Sequence, residues 1–224
     1  MSGAIPVSPG GGGHFFSFEG GEASGKSLQA RRLAAELGRR GLDVVLVREP
    51  GGTAAGERIR EILLHAQDVG LTAEAQALLF TASRAQLVRE VIRPALERGA
   101  VVIADRYYDS TLAYQGAGLG ADAEKLREIT RFAVGPTVPD RTFLLDVPVE
   151  VVLARGRARQ PDRSWDRYEV REPDFHQRLR EGYLRLAAAE PRRFAVIGGD
   201  RDEDAVAADI LREADALLAT ISRR

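Results

Sequence analysis

A glycine-rich loop near the N-terminus carries the spacing of a phosphate-binding site. Residues 20–27, with the sequence GGEASGKS, match the pattern G-x-x-x-x-G-K-[ST]. Glycines let the backbone turn its N–H groups inward, and the positive end of a following helix adds to the attraction for phosphate. The motif therefore predicts a site for ATP or GTP phosphates made by Gly20, Gly21, Glu22, Ala23, Ser24, Gly25, Lys26 and Ser27.

Two residues of this loop have a specific predicted chemistry. Lys26 is expected to act in catalysis by reaching the β and γ phosphates, and the Ser27 hydroxyl is expected to bind Mg²⁺. Asp105, which ends the Walker-B-like run VVIAD, is the predicted acidic partner of that metal. The alternative is a glycine-rich turn that matches by chance, but an apolar run before it and an amphipathic pattern after it argue against this.

The elements that must position this loop are visible as short apolar runs separated by helical patterns. The runs begin at Phe15, Asp43, Ala100, Arg141 and Phe194. Because they are apolar almost continuously, they predict parallel strands buried on both faces. Helical spacing fills the gaps, as at Ile59, Ile62, Leu63 and Ala66 and over residues 72–97. This alternation predicts an α/β fold with a five-stranded parallel sheet and helices on both faces.

Composition narrows the class of protein further. A chain of 224 residues with 44% hydrophobic residues fits one domain, and a net charge of -1 argues against a nucleic-acid partner. The absence of cysteine excludes disulfides and cysteine nucleophiles. The chain has neither an apolar run of membrane-spanning length nor a signal peptide, so no membrane partner and a cytoplasmic location are predicted. Residues 1–13 are predicted to be a disordered Gly/Pro/Ser-rich tail, and residues 14–224 a single domain.

Polar residues follow the predicted strands, at the edge of the sheet where ligands bind in open α/β folds. They are Glu19, Arg48-Glu49, Asp105-Arg106 and Asp146. Arg48 and Arg106 follow two such strands and can form a fork-shaped clamp on a second phosphate, although surface salt bridges are the alternative. No N-K-x-D tetrapeptide that reads guanine occurs in the chain. These features together favour a small kinase over a GTPase.

Five segments, taken in order, resemble the thymidylate kinase family. They are FEGGEASGKS, REPGGT at Arg48, LLFTASRAQL from Leu78, DRYYDSTLAYQG from Asp105 and DRYE at Asp166. The resemblance implies a three-layer P-loop nucleoside-monophosphate-kinase fold, and transfer of the γ-phosphoryl group of ATP to dTMP with Mg²⁺. It also implies a cytoplasmic homodimer. A kinase for dUMP, UMP, CMP or GMP, or a non-catalytic nucleotide- or nucleic-acid-binding module, stays open as an alternative.

The resemblance also implies roles for residues of the acceptor site. Phe80 and Arg84, at i and i+4 on one helix face, match the pair that stacks on thymine and contacts its O4. Arg48 and Arg106 match the arginines that hold the dTMP phosphate, and Glu22 the acidic residue facing the 3′-hydroxyl. The rest of the pocket is implied to be Ser110, Thr111 at the base edge, Tyr114 against the ribose 2′ position, and Gln115. Phe80 as a core aromatic, and the last four as caps or core contacts, are the alternatives.

An arginine-rich stretch, ARGRARQPDRSWDRYE from Ala154, predicts a mobile lid at about residues 154–170. Residues 21–24 of the phosphate loop include no basic residue, so the lid is expected to supply positive charge to the transferred phosphate. This is the arrangement of the bacterial group that the resemblance suggests. The catalytic candidates, in order of preference, are Arg157, Arg159 and Arg163. The stretch departs from the family pattern RARxRGxxDR, and a solvated basic face or a nucleic-acid patch is the alternative.

Overall fold

The computed structural model describes residues 12–66, 69–158, 168 and 171–219. Its five strands form one parallel sheet in the order β2-β3-β1-β4-β5. The strands are β1 His14–Glu19, β2 Val44–Arg48, β3 Val101–Asp105, β4 Arg141–Asp146 and β5 Phe194–Gly198. Each strand falls within one of the predicted apolar runs, so the prediction of a five-stranded parallel sheet is confirmed. Most of the predicted N-terminal tail, residues 1–11, lies outside the described residues.

Helices connect the strands and cover both faces of the sheet. They are α1 Lys26–Arg39, α2 Ala54–Arg60, α3 Ala73–Leu87, α4 Arg93–Glu97, α5 Tyr108–Thr111, α6 Ala123–Val134, α7 Val149–Ala158, α8 Pro173–Ala189 and α9 Glu203–Leu218. Three π-helical segments continue α2, α3 and α5, at Glu61–His65, Val88–Ile92 and Leu112–Gly118. Helix starts follow the usual chemistry: the Thr53 and Thr72 hydroxyls accept the Gly56 and Ala75 N–H groups at the starts of α2 and α3.

Successive residues of β1 point into different hydrophobic layers, because side chains alternate along a strand. Phe15 packs with residues of α6 and of the segment from α3 to α4. Phe16 and Phe18 pack with α1 and α9 on the opposite face. Helix α8 adds a third cluster against Leu144 of β4. The sheet therefore lies between two layers of helices, which fixes the positions of its strand ends. No helix within the described ranges is long and apolar enough to span a membrane.

Two expectations drawn from apolar patterns were wrong in detail. The edge strands are not buried on both faces, since Leu46 of β2 and Val196 of β5 are about half exposed. Ile62 is also exposed, although its spacing predicted a buried stripe with Leu63. At this point α2 passes into the π-helical segment, whose wider turn rotates the apolar face so that Leu63 and Leu64 are the buried pair.

Strand ends bring the predicted polar residues to one edge of the sheet. Arg48 at the end of β2 is in register with Asp105 at the end of β3. Asp105 is also paired with Phe18, the residue before Glu19 in β1. The peptide bond between Glu49 and Pro50, immediately after β2, is cis. The phosphate loop and the loops after β2 and β3 therefore leave the sheet side by side.

Candidate active site

The loop between β1 and α1 depends on backbone conformations that favour glycine. Gly20 has φ +142° and Gly25, which precedes α1, has φ +95°. A Cβ atom on Gly20 would lie 2.6 Å from the Leu145 carbonyl oxygen, so only glycine fits there. A Cβ on Gly21, by contrast, would meet nothing within 4 Å. The loop thus ends at the N-terminus of a long helix, where backbone N–H groups attract anions.

Lys26 is folded back into this loop and is almost fully buried. Its Nζ donates to the Gly21 carbonyl oxygen at 2.5 Å and to Ser24 Oγ at 3.3 Å. Burial and the nearby charge of Arg106, opposed by the charge of Glu22, together lower the pKa of Lys26 to about 8. The ammonium group is therefore partly desolvated, and phosphate oxygens can replace its present acceptors.

A cleft of about 470 Å³ opens beside the loop. The predicted site residues that line it are Glu22, Ala23, Gly25, Lys26, Ser27, Arg48, Phe80, Asp105, Arg106, Ser110, Thr111, Tyr114 and Gln115. They come from the loop and α1, from the ends of β2 and β3, from α3, and from α5 with the π-helical segment that follows it. Gly20, Gly21 and Ser24 belong to the loop without lining the cleft. Arg84 contacts Glu49 and Thr111, which do line it.

The guanidinium group of Arg106 donates four hydrogen bonds within the cleft. Its Nη2 donates to Glu22 Oε1 at 2.5 Å and to the Tyr114 hydroxyl at 2.9 Å. Its Nη1 donates to the Gly20 carbonyl oxygen at 3.1 Å and to Ser110 Oγ at 3.3 Å. The Tyr114 hydroxyl also donates to Glu22 at 2.6 Å. Because burial raises the pKa of Tyr114 well above its ordinary value, this hydroxyl remains a donor at neutral pH.

Arg48 lines the cleft beside Arg106 and is also paired with a carboxylate. Its Nη2 lies 2.9 Å from Glu57 Oε2, and its Nη1 donates to Glu57 Oε1 at 3.2 Å. Both side chains are about half exposed, so this ion pair is weakly held. The two arginines at neighbouring strand ends thus face one cleft, each with an exchangeable carboxylate partner. Their joint use as a phosphate clamp stays a prediction.

Arg84 lies behind the lining of the cleft, with 1% of its side chain exposed. Its Nε donates to Glu49 Oε2 at 2.7 Å, its Nη1 to Thr111 Oγ1 at 3.1 Å and its Nη2 to the Tyr107 carbonyl oxygen at 3.2 Å. Burial raises the pKa of Glu49 to about 6, although the charge of Arg84 opposes that rise. Phe80, one turn earlier on the same helix, is half-buried and lines the cleft. The three hydrogen bonds of Arg84 fix its guanidinium group in one orientation.

Gln115 lines the cleft and belongs to a buried network of polar side chains. Its Nε2 donates to the Tyr168 hydroxyl at 2.9 Å, and that hydroxyl donates to Gln76 Oε1 at 2.7 Å. The Tyr168 ring contacts the Tyr114 ring edge-on, with centroids 5.1 Å apart, and lies 6.4 Å from that of Phe80. The rings of Phe80, Tyr114 and Tyr168 therefore lie together in the lining of the cleft, which suits a flat ring such as a nucleobase.

Comparison with known proteins identifies the family to which this site belongs. The family model described as thymidylate kinase matches residues 18–210. The chain belongs to the thymidylate kinase family. A thymidylate kinase of Roseiflexus castenholzii is 46% identical over 217 residues, covering 92% of this chain and 95% of that protein. One from Thermomicrobium roseum is 48% identical over 208 residues, covering 93% and 94%.

Solved structures support the same assignment for the fold. A crystal structure of thymidylate kinase from Ehrlichia chaffeensis superposes with a TM-score of 0.74 at 32% identity, covering 91% of this chain and 99% of that one. The predicted three-layer P-loop nucleoside-monophosphate-kinase fold, with a five-stranded parallel sheet, is thereby confirmed. The resemblance to thymidylate kinases drawn from the sequence motifs is confirmed as well.

Several residues that line the cleft in this thymidylate kinase family member were not predicted from the sequence. They are Leu28, Arg31, Glu49, Pro50, Arg60, Leu64, His65 and Tyr168. Glu49, Pro50 and Tyr168 lie inside the motifs REPGGT and DRYE, so their position in these motifs could have indicated that they line the site. Arg60, at the end of α2, and Leu64, in the π-helical segment that continues α2, belong to no motif, and both elements pack against α3.

The lid predicted for this family member is described only at its edges. Arg157, near the end of α7, is exposed, and Arg159 and Arg163 lie outside the described residues. Arg155, which was not a candidate, donates through Nη1 to the Gly199 carbonyl oxygen at 3.0 Å and to that of Ala23 at 3.4 Å. This arginine therefore ties the start of the lid segment to the phosphate loop.

Ser27 and Asp105 are the residues of this family member that can contribute to a metal site. Both line the cleft beside Lys26. Within the described ranges, no group of three or more histidine, aspartate or glutamate side chains is arranged to hold a metal ion alone. Mg²⁺ usually takes only one or two protein oxygens and completes its shell with water and substrate phosphates. The hydroxyl and carboxylate present fit that mode of binding.

Proposed function

We propose that this chain transfers the γ-phosphoryl group of ATP to dTMP, giving dTDP and ADP. Family membership supports this reaction, because relatives at 46% to 48% identity over most of the chain are thymidylate kinases. One observation carries the proposal further. A single cleft is lined both by the phosphate loop and by Arg48, Phe80 and Arg106, so a donor and an acceptor nucleotide can meet there.

The donor phosphates bind to residues 20–27 in this proposal. The backbone N–H groups of the loop and the start of α1 attract the phosphate chain, and Lys26 exchanges its carbonyl acceptor for phosphate oxygens. Ser27 and Asp105 would hold Mg²⁺, which, when bound, neutralises charge on the ATP phosphates. Among the lid residues, Arg157, Arg159 and Arg163 remain the candidates for charge on the transferred group. A single arginine in that role contributes about 10³- to 10⁵-fold in rate.

The acceptor phosphate takes the place of protein carboxylates on two arginines. Arg106 would release Glu22, and Arg48 would release Glu57, so that both guanidinium groups clamp the phosphate of dTMP. That phosphate is already ionised near neutral pH, so positioning and charge neutralisation do more than base catalysis. Glu22, to which the Tyr114 hydroxyl donates, can then also accept the sugar 3′-hydroxyl. Tyr114, whose hydroxyl is held beside Glu22, would exclude a ribose 2′-hydroxyl by contact.

The base is recognised in this proposal by one aromatic face and one polar edge. Phe80 stacks on thymine, and Tyr168 and Gln115 bound the space in front of it. Arg84, oriented by Glu49 and Thr111, donates to O4 of the base. A methyl group in an apolar pocket contributes only about 1 to 3 kcal/mol of discrimination. Slow phosphorylation of dUMP is therefore expected beside that of dTMP.

Assembly as a homodimer and a cytoplasmic location belong to the same proposal. The family resemblance implies both, and exposed apolar side chains support the first. Phe132 on α6 is 93% exposed and Leu78 on α3 is 57% exposed, and these two helices pack together. Large apolar side chains exposed on neighbouring helices can contribute to an interface between subunits. Light scattering of the purified protein should give twice the mass of one chain.

The deciding experiment is phosphoryl transfer from ATP to a panel of nucleoside monophosphates. We expect kcat/KM to be highest for dTMP, lower for dUMP, and lowest for UMP, CMP and GMP. Preference for a ribonucleotide would reassign the substrate to another monophosphate. Salt-dependent binding of single-stranded DNA without any phosphoryl transfer would instead support a binding module. Omitting Mg²⁺ should abolish the transfer.

A further inference from the structure

A buried glutamate at the start of the phosphate loop has no role in the reaction as described above. Glu19 ends β1 and is fully buried. Its Oε1 accepts the Tyr107 backbone N–H at 2.8 Å. Its Oε2 accepts the Ser110 hydroxyl at 2.6 Å and the Tyr183 hydroxyl at 2.8 Å. One carboxylate therefore joins β1, the segment after β3, and α8, the helix that follows the lid segment.

Two of these contacts, with Tyr107 and Ser110, bear on the orientation of Arg106. Tyr107 follows Arg106 directly, and Arg106 has φ +73°, a conformation that a non-glycine residue keeps only when its surroundings enforce it. Ser110 Oγ, held by Glu19, accepts Arg106 Nη1 at 3.3 Å. The hydroxyl oxygens of Ser110 and Tyr183 lie 3.0 Å apart. The Glu19 carboxylate and these two hydroxyl groups therefore form one hydrogen-bonded cluster.

We propose that Glu19 is a positioning residue for the acceptor phosphate. By fixing the main chain at Tyr107 and the hydroxyl of Ser110, its carboxylate holds the Arg106 guanidinium toward the cleft. Tyr183 links this arrangement to α8. The inference rests on the proposed function, in which Arg106 binds the phosphate of dTMP.

The electrostatics of the cluster give the proposal a pH signature. Burial and, next to it, the charge of Asp109 raise the pKa of Glu19, whose net value is about 7. The Ser110 hydroxyl, the charge of Arg106 and the Tyr107 N–H oppose it. The other ionisable groups that face Glu19 are Lys26, Tyr108 and Tyr183.

The two protonation states of Glu19 hold Ser110 differently. When Glu19 is ionised, both hydroxyls donate to Oε2, so a lone pair of Ser110 Oγ remains for Arg106. A proton on Oε2 forces a hydroxyl hydrogen away from Glu19, and a Ser110 hydrogen turned toward Arg106 repels the guanidinium. Use of dTMP should therefore weaken as the pH falls through about 7.

The main test is steady-state kinetics of Glu19→Gln between pH 5.5 and 9, beside the wild-type protein. We expect KM for dTMP to rise by about tenfold, since a hydrogen-bonded charge no longer orients Arg106. KM for ATP should change by less than about twofold, because in the proposed function Arg106 binds the acceptor phosphate and not the phosphates of ATP. The decrease in kcat/KM for dTMP that the wild-type protein shows as the pH falls through about 7 (the acid limb of its pH profile) should be absent in the variant. A limb near pH 6, from the dTMP phosphate itself, should persist.

A second variant keeps the proposal testable if Glu19→Gln folds poorly. Tyr183→Phe removes a donor that favours ionised Glu19, so the acid limb should move to higher pH and KM for dTMP should rise. Tyr108→Phe is the matched control. The Tyr108 hydroxyl is buried without a hydrogen-bond partner in the part of the chain that the structure describes, so its loss should leave both KM values and the pH profile unchanged.

Three results would overturn the inference. Glu19→Gln with the KM for dTMP and the pH profile of the wild type would show that Glu19 does not position Arg106. Equal losses for dTMP and ATP, accompanied by a lower melting temperature, would assign Glu19 to stability alone. A wild-type protein that phosphorylates no nucleoside monophosphate would remove the proposed function and this inference together, and only the panel assay reveals that case.

Discussion

The buried ion pair between Arg84 and Glu49 should make a large and strongly coupled contribution to stability. The two side chains are 1% and 3% exposed, and their closest atoms, Nε and Oε2, are 2.7 Å apart. Removing one partner of a buried pair leaves an uncompensated charge and costs about 3 to 5 kcal/mol. Arg84→Met and Glu49→Leu should each lose about that much free energy of unfolding. The double variant should recover most of it, because apolar groups then face each other.

The pH dependence of unfolding gives an independent check on the same pair. The folded protein holds the pKa of Glu49 at about 6, against 4.5 for the ordinary group. Between these values the native state binds a proton that the unfolded state does not, so stability rises as the pH falls. The shift corresponds to about 2 kcal/mol gained between pH 7 and pH 4.5. Glu49→Leu should lose this part of the slope, and Arg84→Met should steepen it.

Urea unfolding of the two single variants and the double variant, at pH 5 and pH 7.5, measures both effects. The exposed pair Arg98 and Asp43 is a matched control, with its atoms 2.9 Å apart and its side chains 49% and 58% exposed. Removing either partner there should have a much smaller effect. The reasoning fails if the buried single variants match this control, or if the double variant loses the sum of the single losses.

The remaining predictions concern the cleft. Arg106→Ala should lower kcat/KM for dTMP by about 10²- to 10³-fold while far-ultraviolet circular dichroism stays unchanged, and wild-type kinetics would refute the phosphate clamp. Because the pKa of Lys26 is lowered to about 8, ATP affinity measured by calorimetry should fall as the pH rises past that value; a flat profile to pH 10 would contradict this. Phe80→Ala should raise KM for dTMP by about tenfold through lost stacking, with KM for ATP as its internal control.

Most of the fold followed from local patterns in the sequence. The five apolar runs became the five strands, because continuous apolar runs bounded by turn residues suit a sheet covered on both faces. The strand order β2-β3-β1-β4-β5 was not predicted, since it depends on packing between distant segments. Ile62 was misplaced for a related reason. A period of 3.6 residues cannot anticipate a π-helical turn, and that turn moves Ile62 out to solvent.

Some residues of the candidate site could likewise be predicted from local motifs, whereas others depend on contacts made only in the folded protein. Residues 20–27 were predictable because their chemistry resides in one continuous loop. Glu19 precedes that loop in the same motif, but only its position on a strand end was recognised. Its partners Ser110 and Tyr183 are 91 and 164 residues away in sequence, so their contact with Glu19 depends on the folded structure. Buried groups that orient catalytic residues are therefore the hardest to predict from sequence.

The charges of the cleft illustrate why a motif identifies a cation but not the strength with which it binds. Lys26 donates to the Gly21 carbonyl oxygen, Arg106 to Glu22 and Arg48 to Glu57. A substrate phosphate that binds there exchanges one oxygen partner for another on each cation, so the net free energy is much smaller than the count of positive charges implies. In the proposed reaction the exchange also separates Glu22 from Arg106, while the Tyr114 hydroxyl still donates to the Glu22 carboxylate. The 3′-hydroxyl of dTMP would add a donor to Glu22 in the proposed complex, and this would couple recognition of the phosphate to recognition of the sugar.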